Sequence, residues 1–507
     1  MSMGNSVVLQ VVWFKRDLRN ADHAPLTAAA SGGPLLPIYC IEPDYWQLAD
    51  TSDRQWQFVR ESLQDLNQQL NLGGGQLNLY QSEILAVLAR LRQQLGTFTL
   101  HSHEETGNLW TYQRDRAVAR WCRHNGITWH QYKQFGVQRG RELRRDNWQQ
   151  WRQQWLQEPL LTPVNCQQWL TTEDALATEQ WPAHIKQDPL PCRNRQPGGR
   201  AAGLKLLNSF LNQRGERYRG SLSRTDSAAQ HGSRLSAHLA YGTLSVREIL
   251  AALNSARENS QGRWRQSLNA FESRLWWHCH FIQKLETQPN IERQAQIAPL
   301  EQLPTSDDER RWKAWQRGQT GWPMVDAAMR YLHCHGWVNF RMRAMLVSVA
   351  THTLQLPWQR VAEFLDAQFV DYEPGIHYPQ VQMQSGLSWN PVLRIYNPTT
   401  QTKQLDSEGR FIRRWVPELA SLPGEWLLEP WKLPNNLKQL YKVTNYPAPL
   451  VDLTAANRAR KAAIQTLEQQ AGVVRPSNRS KARRSSTTKS EHNRPESGGN
   501  SAQLALF

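Results

Sequence analysis

The chain has 507 residues, with 60 Lys and Arg against 44 Asp and Glu, for a formal charge of +16. That length accommodates two to four domains with cores of ordinary size, and that charge favours a polyanionic partner. Six scattered cysteines without a CxxC pair argue against a zinc ribbon or an iron–sulfur site, and no run of 18 apolar residues offers a membrane span.

No basic head followed by an apolar secretion core opens the chain, so a cytoplasmic protein with reduced thiols and no membrane contact is expected. In chain order, residues 7–14 form an apolar run of strand type. Lys15-Arg16-Asp17-Leu18-Arg19 follows, and Asp22-His23-Ala24-Pro25-Leu26 opens a helix. Residues 35–41, 77–80, 98–101 and 127–130 read as further strands, with helical periodicity over 55–70, 84–95 and 110–124. Strands alternating with helices predict a parallel, Rossmann-like α/β domain over residues 1–135. No GxGxxG or Walker pattern follows the first strand, and Gly73-Gly74-Gly75 reads as a loop.

Residues 136–200 are rich in Gln, Trp and Pro and read as an irregular connection between domains. Residues 201–474 are mostly helical in pattern. Residues 475–507 hold seven Lys or Arg and two Glu among Ser, Asn and Gly. Such a segment buries too little apolar surface to offset its ordering entropy, so a disordered basic tail is expected. It closes on Gln503-Leu504-Ala505-Leu506-Phe507.

Several blocks share one order and spacing with a known family. They are Trp13-Phe14-Lys15-Arg16-Asp17-Leu18-Arg19, Gly321-Trp322-Pro323-Met324-Val325-Asp326, and Gly336-Trp337-Val338-Asn339-Phe340-Arg341-Met342-Arg343. Asp371-Tyr372-Glu373-Pro374-Gly375-Ile376-His377, Arg394-Ile395-Tyr396-Asn397-Pro398 and residues 411–419 complete the set. Over most of residues 7–435 the chain resembles the photolyase/cryptochrome family. The resemblance implies an all-α C-terminal FAD-binding domain over 201–474 and light-driven electron transfer from a buried FAD. It leaves room for a second, antenna chromophore, a folate or a deazaflavin of unknown identity.

The resemblance also implies roles for individual residues. Gly232-Ser233-Arg234-Leu235-Ser236 is similar to the family's phosphate-binding turn, where a helix start and Ser hydroxyls meet the FAD pyrophosphate. An ordinary N-capped helix is the alternative. Tyr218 is a further phosphate contact. Arg343 and Asp371 match the Arg–Asp pair against the isoalloxazine, with Phe340 and Glu373 beside it. A cation there stabilises the reduced ring, and the carboxylate holds the cation. His377 stands where the family faces flavin N5, either exchanging a proton near neutral pH or packed as a singly hydrogen-bonded histidine. Trp277 keeps the aromatic that stacks on a flipped dimer. Arg341 and Arg394 match phosphate contacts, with solvated surface arginines as the alternative.

Other positions depart from the dimer-repairing members. Arg274 replaces a carboxylate one turn before Trp277, and Glu272 is rotated to roughly the opposite helix face. Phe340, Ala344 and Met383 replace Asn, Met and Trp of the dimer pocket, and the two His needed for (6-4) repair are missing. His278-Cys279-His280 and His333-Cys334-His335 place ligand types two apart, which a helix points away from each other, so no metal site is expected. Of the family's tryptophan relay only Trp358 remains, because Val381 and Thr305 stand for the inner and outer members. Tyr378, Trp389 and Trp337 are candidate detours.

The leading expectation is light-driven repair of pyrimidine photodimers in DNA, a lyase chemistry. The lesion stacks on Trp277, Arg274 bonds a pyrimidine carbonyl, and His377 stands at the flavin. The rival is a cryptochrome-type blue-light photoreceptor without repair, favoured by the changed pocket and His377. A flavin redox protein without a light role is the third reading. Gln503, Leu504, Leu506 and Phe507 resemble the peptide that docks on the bacterial replication sliding clamp, with a chance apolar terminus as the alternative. A disordered tether of about 25–30 residues reaches roughly 30 Å, at about 5–6 Å × √n.

Overall fold

The computed structural model describes residues 8–140, 145–164, 166, 168–188 and 190–476. Five parallel strands form one sheet: β1 (Leu9–Phe14), β2 (Leu35–Cys40), β3 (Asn78–Tyr80), β4 (Phe98–His103) and β5 (Thr128–Tyr132). Their order is β3-β2-β1-β4-β5, with Trp13 opposite Ile38 and Val11 opposite Leu100. Alternation sends Val12 and Phe14 to one face, against Trp56, Phe58 and Leu63 of the helix Asp53–Leu72. Val11 and Trp13 pack on the other face, with Val87 and Leu88 of Ile84–Leu95 and Val118 of Leu109–His124. Both faces are covered, as a parallel sheet requires. The expected strands and intervening helices are all present, with ends shifted by two residues at most.

The connection after β5 is less irregular than its composition implies. Arg145–Gln157 is a helix, on which Trp148 is buried and the rings of Trp151 and Trp155 stack with centroids 6.3 Å apart. Three Trp spaced by three and four residues are a helical pattern hidden under Gln-rich sequence.

The chain divides into two compact units. One comprises Met1–Arg217, Ser233–Pro289 and Asp366–Ile376, and so joins the sheet to the helix Gly262–Thr287 and to a short segment from the second half of the chain. The other comprises Tyr218–Gly232, Asn290–Leu365 and His377–Phe507; the helices Pro323–His335, Phe340–Ser348 and Leu453–Gln470 belong to it. Asp326 is fully buried there and accepts from the backbone N–H groups of Thr320 and Gly321 and from the Tyr446 hydroxyl at 2.6 Å, which explains its place in a shared block. No helix among the described residues is long and apolar enough to cross a membrane.

Candidate functional site

In the sheet-bearing unit, residues 233–236 form the turn that opens the helix Ser236–Ala240. Arg234 is left-handed (φ +61°) and Leu235 is right-handed (φ −91°, ψ −1°) just before the helix Ser236–Ala240. Successive residues of opposite hand turn consecutive N–H groups toward one concavity, an arrangement that suits phosphate. A non-glycine residue rarely adopts this conformation. The turn is pinned from behind: Arg214 Nη2 donates to the Ser233 carbonyl at 2.8 Å, and Gln196 Nε2 to the Arg234 carbonyl at 3.1 Å. Gly232 closes the short helix Ala228–His231, and a Cβ on it would lie 2.5 Å from the Ala228 carbonyl oxygen. The hydroxyl missing at this position is therefore excluded by packing. Tyr218 is buried.

Asp371 and Glu373 are both buried in the same unit. Burial raises the Glu373 carboxyl, opposed by Arg16, whose Nη2 lies 3.0 Å from Glu373 Oε2. In the second unit, Asn339 caps the helix Phe340–Ser348 by accepting from Met342 N at 3.1 Å. Arg343 Nε donates to the Val338 carbonyl at 2.8 Å, which folds the guanidinium back toward the helix start. His377 lies on the helix Pro374–Gln384, where Pro379 has no N–H to give the Gly375 carbonyl. One turn on, Gln380 is buried with neither its amide oxygen nor its nitrogen hydrogen-bonded. An orphaned buried amide is costly unless a ligand satisfies it. In the sheet-bearing unit the turn and the buried carboxylates fit a cofactor carrying phosphates and a polar ring edge; in the second unit the Gln380 amide is a polar group that a ligand would satisfy.

Trp277 is half-buried on the helix Gly262–Thr287, and Arg274, one turn earlier, is buried on a neighbouring part of that helix. The Trp277 ring stacks on Phe281 (5.6 Å) and meets Trp276 and His280 edge-on at 4.9 and 5.1 Å. Trp276 in turn lies flat on His280 at 5.1 Å and meets Trp148 at 5.8 Å. This aromatic shelf fixes the Trp277 ring. Glu272 forms an ion pair with Arg257, so it is committed away from the Arg274 position.

In the second unit, Arg341 and Arg394 form a cationic pair. Neither has a carboxylate partner among the described residues, and the Arg341 guanidinium lies 5.9 Å from the Tyr396 ring. Burial lowers the Arg394 pKa and the Arg341 charge adds to that, while Tyr396 opposes it. Arg341 Nε and the Tyr396 hydroxyl are buried without hydrogen-bond partners. Two like charges beside an orphaned hydroxyl leave the positive potential here uncompensated. The neighbouring loop exposes Trp389 (48%) and Val392 (39%). Arg475, which composition places in the basic tail, pins that loop: its guanidinium donates to the carbonyls of Gly386, Ser388 and Asn390 and pairs with Glu468.

Trp358 is 6% exposed, with Nε1 at 3.5 Å from Glu301 Oε2. Val381 is buried and Thr305 exposed, so the ordered route through these positions stops after one aromatic. Trp358→Phe is therefore expected to leave the rate of flavin photoreduction by an external thiol within about twofold of wild type, since Val381 and Thr305, the other two positions of the relay, cannot be oxidised. A large drop in that rate would return Trp358 to an electron route.

His333 and His335, two apart on their helix, each bond a backbone carbonyl: the His333 ring that of Gln316 and the His335 ring that of Tyr331. Among the described residues Asp17, His23 and His103 do converge. Leu26 N–H donates to His23 Nδ1 at 3.1 Å, so the proton of a neutral His23 sits on Nε2, 3.0 Å from Asp17, where a cation would need a lone pair. His103 Nδ1 lies 2.7 Å from the same carboxylate oxygen. Burial holds His103 down to about 3; it also opposes ionisation of Asp17, but the two histidine hydrogen bonds outweigh it and keep that carboxyl well below its usual range. The cluster is a hydrogen-bonded brace.

Two family models match the chain: DNA photolyase over residues 10–158, and the FAD binding domain of DNA photolyase over residues 271–467. A deoxyribodipyrimidine photo-lyase of Vibrio cholerae is 28% identical over 466 residues, covering 88% of this chain and 96% of its own. Cryptochrome-2 of Arabidopsis thaliana is 28% identical over 500 residues, covering 91% of this chain and 79% of its own. The solved structure of a bacterial class III photolyase from Agrobacterium tumefaciens has the same fold, with a TM-score of 0.81 at 23% identity over 92% of this chain and 100% of that one. An archaeal photolyase from Sulfolobus tokodaii, solved with two FAD molecules, gives 0.75 at 23% identity over 90% and 100%. A parallel-sheet domain followed by a helical FAD-binding domain defines a class of two-domain flavoproteins. Within that class the chain belongs to the photolyase/cryptochrome family, and its cofactor is FAD.

Proposed function

We propose that this protein is a light-driven DNA-repair lyase acting on pyrimidine photodimers. When bound, reduced FAD supplies an electron on absorbing blue light. The residues that would hold it are Tyr218 and the 232–236 turn at the phosphates, and Phe340, Arg343, Asp371, Glu373 and His377 around the ring. His377 holds or exchanges a proton beside the ring. Trp277 offers a flat face to a base turned out of the duplex, and Arg274 replaces the usual carboxylate as the group that bonds a pyrimidine carbonyl and steadies negative charge on it. Arg341 and Arg394 take the flanking phosphates.

The observation that carries this reading over photoreception is the Arg341–Arg394 pair, kept without a described acidic partner on a chain of charge +16. The rival, a cryptochrome without repair, draws on the loss of the pocket carboxylate at Arg274 and on His377. Arg274 and Trp277 would then be packing residues. A second, light-harvesting chromophore would serve either reading. Ligands of such sheets sit at the carboxyl ends of the strands, here among Trp13, Tyr39, Tyr45 and Arg114. The cavity there is about 30 Å³, so a chromophore requires those side chains to swing out.

The deciding measurement is dimer splitting by purified, reduced protein under blue light, with Trp277→Ala beside it. Trp277→Ala is expected to weaken lesion-containing DNA by about 1–3 kcal/mol, the worth of a base–aromatic stack, and to leave undamaged DNA nearly unchanged. Equal losses on both DNAs would refute the flipped-base pocket, and no splitting by intact protein would favour the photoreceptor.

A further inference from the structure

We propose that Arg16, two residues beyond β1, is a positioning residue for FAD: it ties the phosphate-binding turn to the segment 371–373. The inference rests on the reading that this turn and Asp371 hold the cofactor. Arg16 Nε donates to the carbonyl of Ala240, the last residue of the helix that the turn opens, at 2.8 Å. Its Nη2 donates to the Tyr372 carbonyl at 2.8 Å and to Glu373 Oε2 at 3.0 Å. The guanidinium also lies 5.6 Å from the Tyr241 ring. One planar fork thus spans two stretches that are far apart in sequence and are expected to hold opposite ends of one ligand.

The backbone of Arg16 is fixed as well. Its carbonyl accepts from Gln134 Nε2 at 2.6 Å. Gly242 comes so close that a Cβ would lie 2.3 Å from that carbonyl, and its φ of +61° disfavours any side chain. The sheet domain grips the rest of the segment too. Gln55 Nε2 donates to the carbonyls of Asp366 and Phe369, Arg54 Nη1 to that of Gln368, and the Tyr372 hydroxyl to Asp50 at 2.9 Å. Of these residues, Arg16 is the one that also reaches the helix behind the turn.

The physical effect is preorganisation. A loop already held in its bound shape loses less freedom when ligand arrives, and affinity rises by that difference. Arginine suits the task because its rigid fork serves several acceptors at once, while lysine offers a single point charge. Without Arg16, Glu373 is left buried with no described cation beside it. The segment then relaxes or the carboxyl takes a proton, and either change moves Asp371, two residues away.

The test uses full-length Arg16→Gln, Arg16→Lys, Glu373→Gln and Asp371→Ala proteins. FAD affinity is read from fluorescence quenching, and the midpoint potential of the bound flavin is read by dye titration. Arg16→Gln is expected to weaken FAD about tenfold or more, the scale of a charge-assisted hydrogen bond, and to shift the potential. Arg16→Lys recovers only part of this. Glu373→Gln, which keeps both carbonyl contacts of Arg16, loses less, and combining it with Arg16→Gln adds nothing further. Wild-type affinity and potential in Arg16→Gln, with FAD lost from Asp371→Ala, overturn the proposal. Wild-type affinity in Asp371→Ala instead removes the reading beneath it. If Arg16→Gln does not fold, unchanged affinity and potential in Glu373→Gln overturn the proposal.

Discussion

Asp371→Ala is expected to strip the purified protein of most of its FAD. The carboxylate is 8% exposed, and on the reading above it accepts from the ring and holds the Arg343 guanidinium. Hydrogen bonds to a charged group are worth about 1.5–3 kcal/mol, so their loss weakens the cofactor roughly ten- to hundredfold. Arg343 keeps its bond to the Val338 carbonyl in the variant, so the helix start is preserved while the acceptor is gone. The ratio of flavin to protein absorbance after gel filtration measures the effect. A variant that elutes with full FAD would show that Asp371 does not hold the ring.

Deleting residues 503–507 is expected to abolish binding to a bacterial replication sliding clamp while leaving FAD content and dimer splitting unchanged. Gln503, Leu504, Leu506 and Phe507 lie outside the described residues, so this partner rests on the peptide's chemistry alone. A glutamine at a pocket edge and three apolar side chains in a groove are the few contacts that carry most of the energy in such docking. Surface-immobilised clamp and graded concentrations of intact and shortened protein measure it. No binding by intact protein at tens of micromolar would leave the peptide an accidental apolar end and weaken the case for repair over signalling.

How much of this was legible in the sequence differs by scale. The sheet was, because Val11-Val12-Trp13-Phe14 and its counterparts are apolar runs covered on both faces, separated by helices of plain period. The flavin half was legible through blocks of fixed spacing, since 371–377 and 339–343 each lie on one continuous stretch of backbone. What escaped were contacts that periodicity does not encode. Arg16 was visible only as part of an opening signature, and its bonds to Ala240 and Glu373 join positions that nothing local connects. Gln380 is one of three glutamines on its helix, and only three-dimensional burial shows that its amide is orphaned. The helix Arg145–Gln157 was masked by composition, although its Trp spacing was a usable signal.

Arg475 gives the C-terminal region a mechanical character. It follows the helix Leu453–Gln470 closely, and its guanidinium gathers the carbonyls of Gly386, Ser388 and Asn390 while pairing with Glu468. Any tension arriving at Arg475 is shared between the end of that helix, through Glu468, and the loop carbonyls. The load passes into the loop that exposes Trp389 and Val392, beside the Arg341–Arg394 pair. A partner pulling on the chain's end would therefore be felt at the surface proposed to touch DNA.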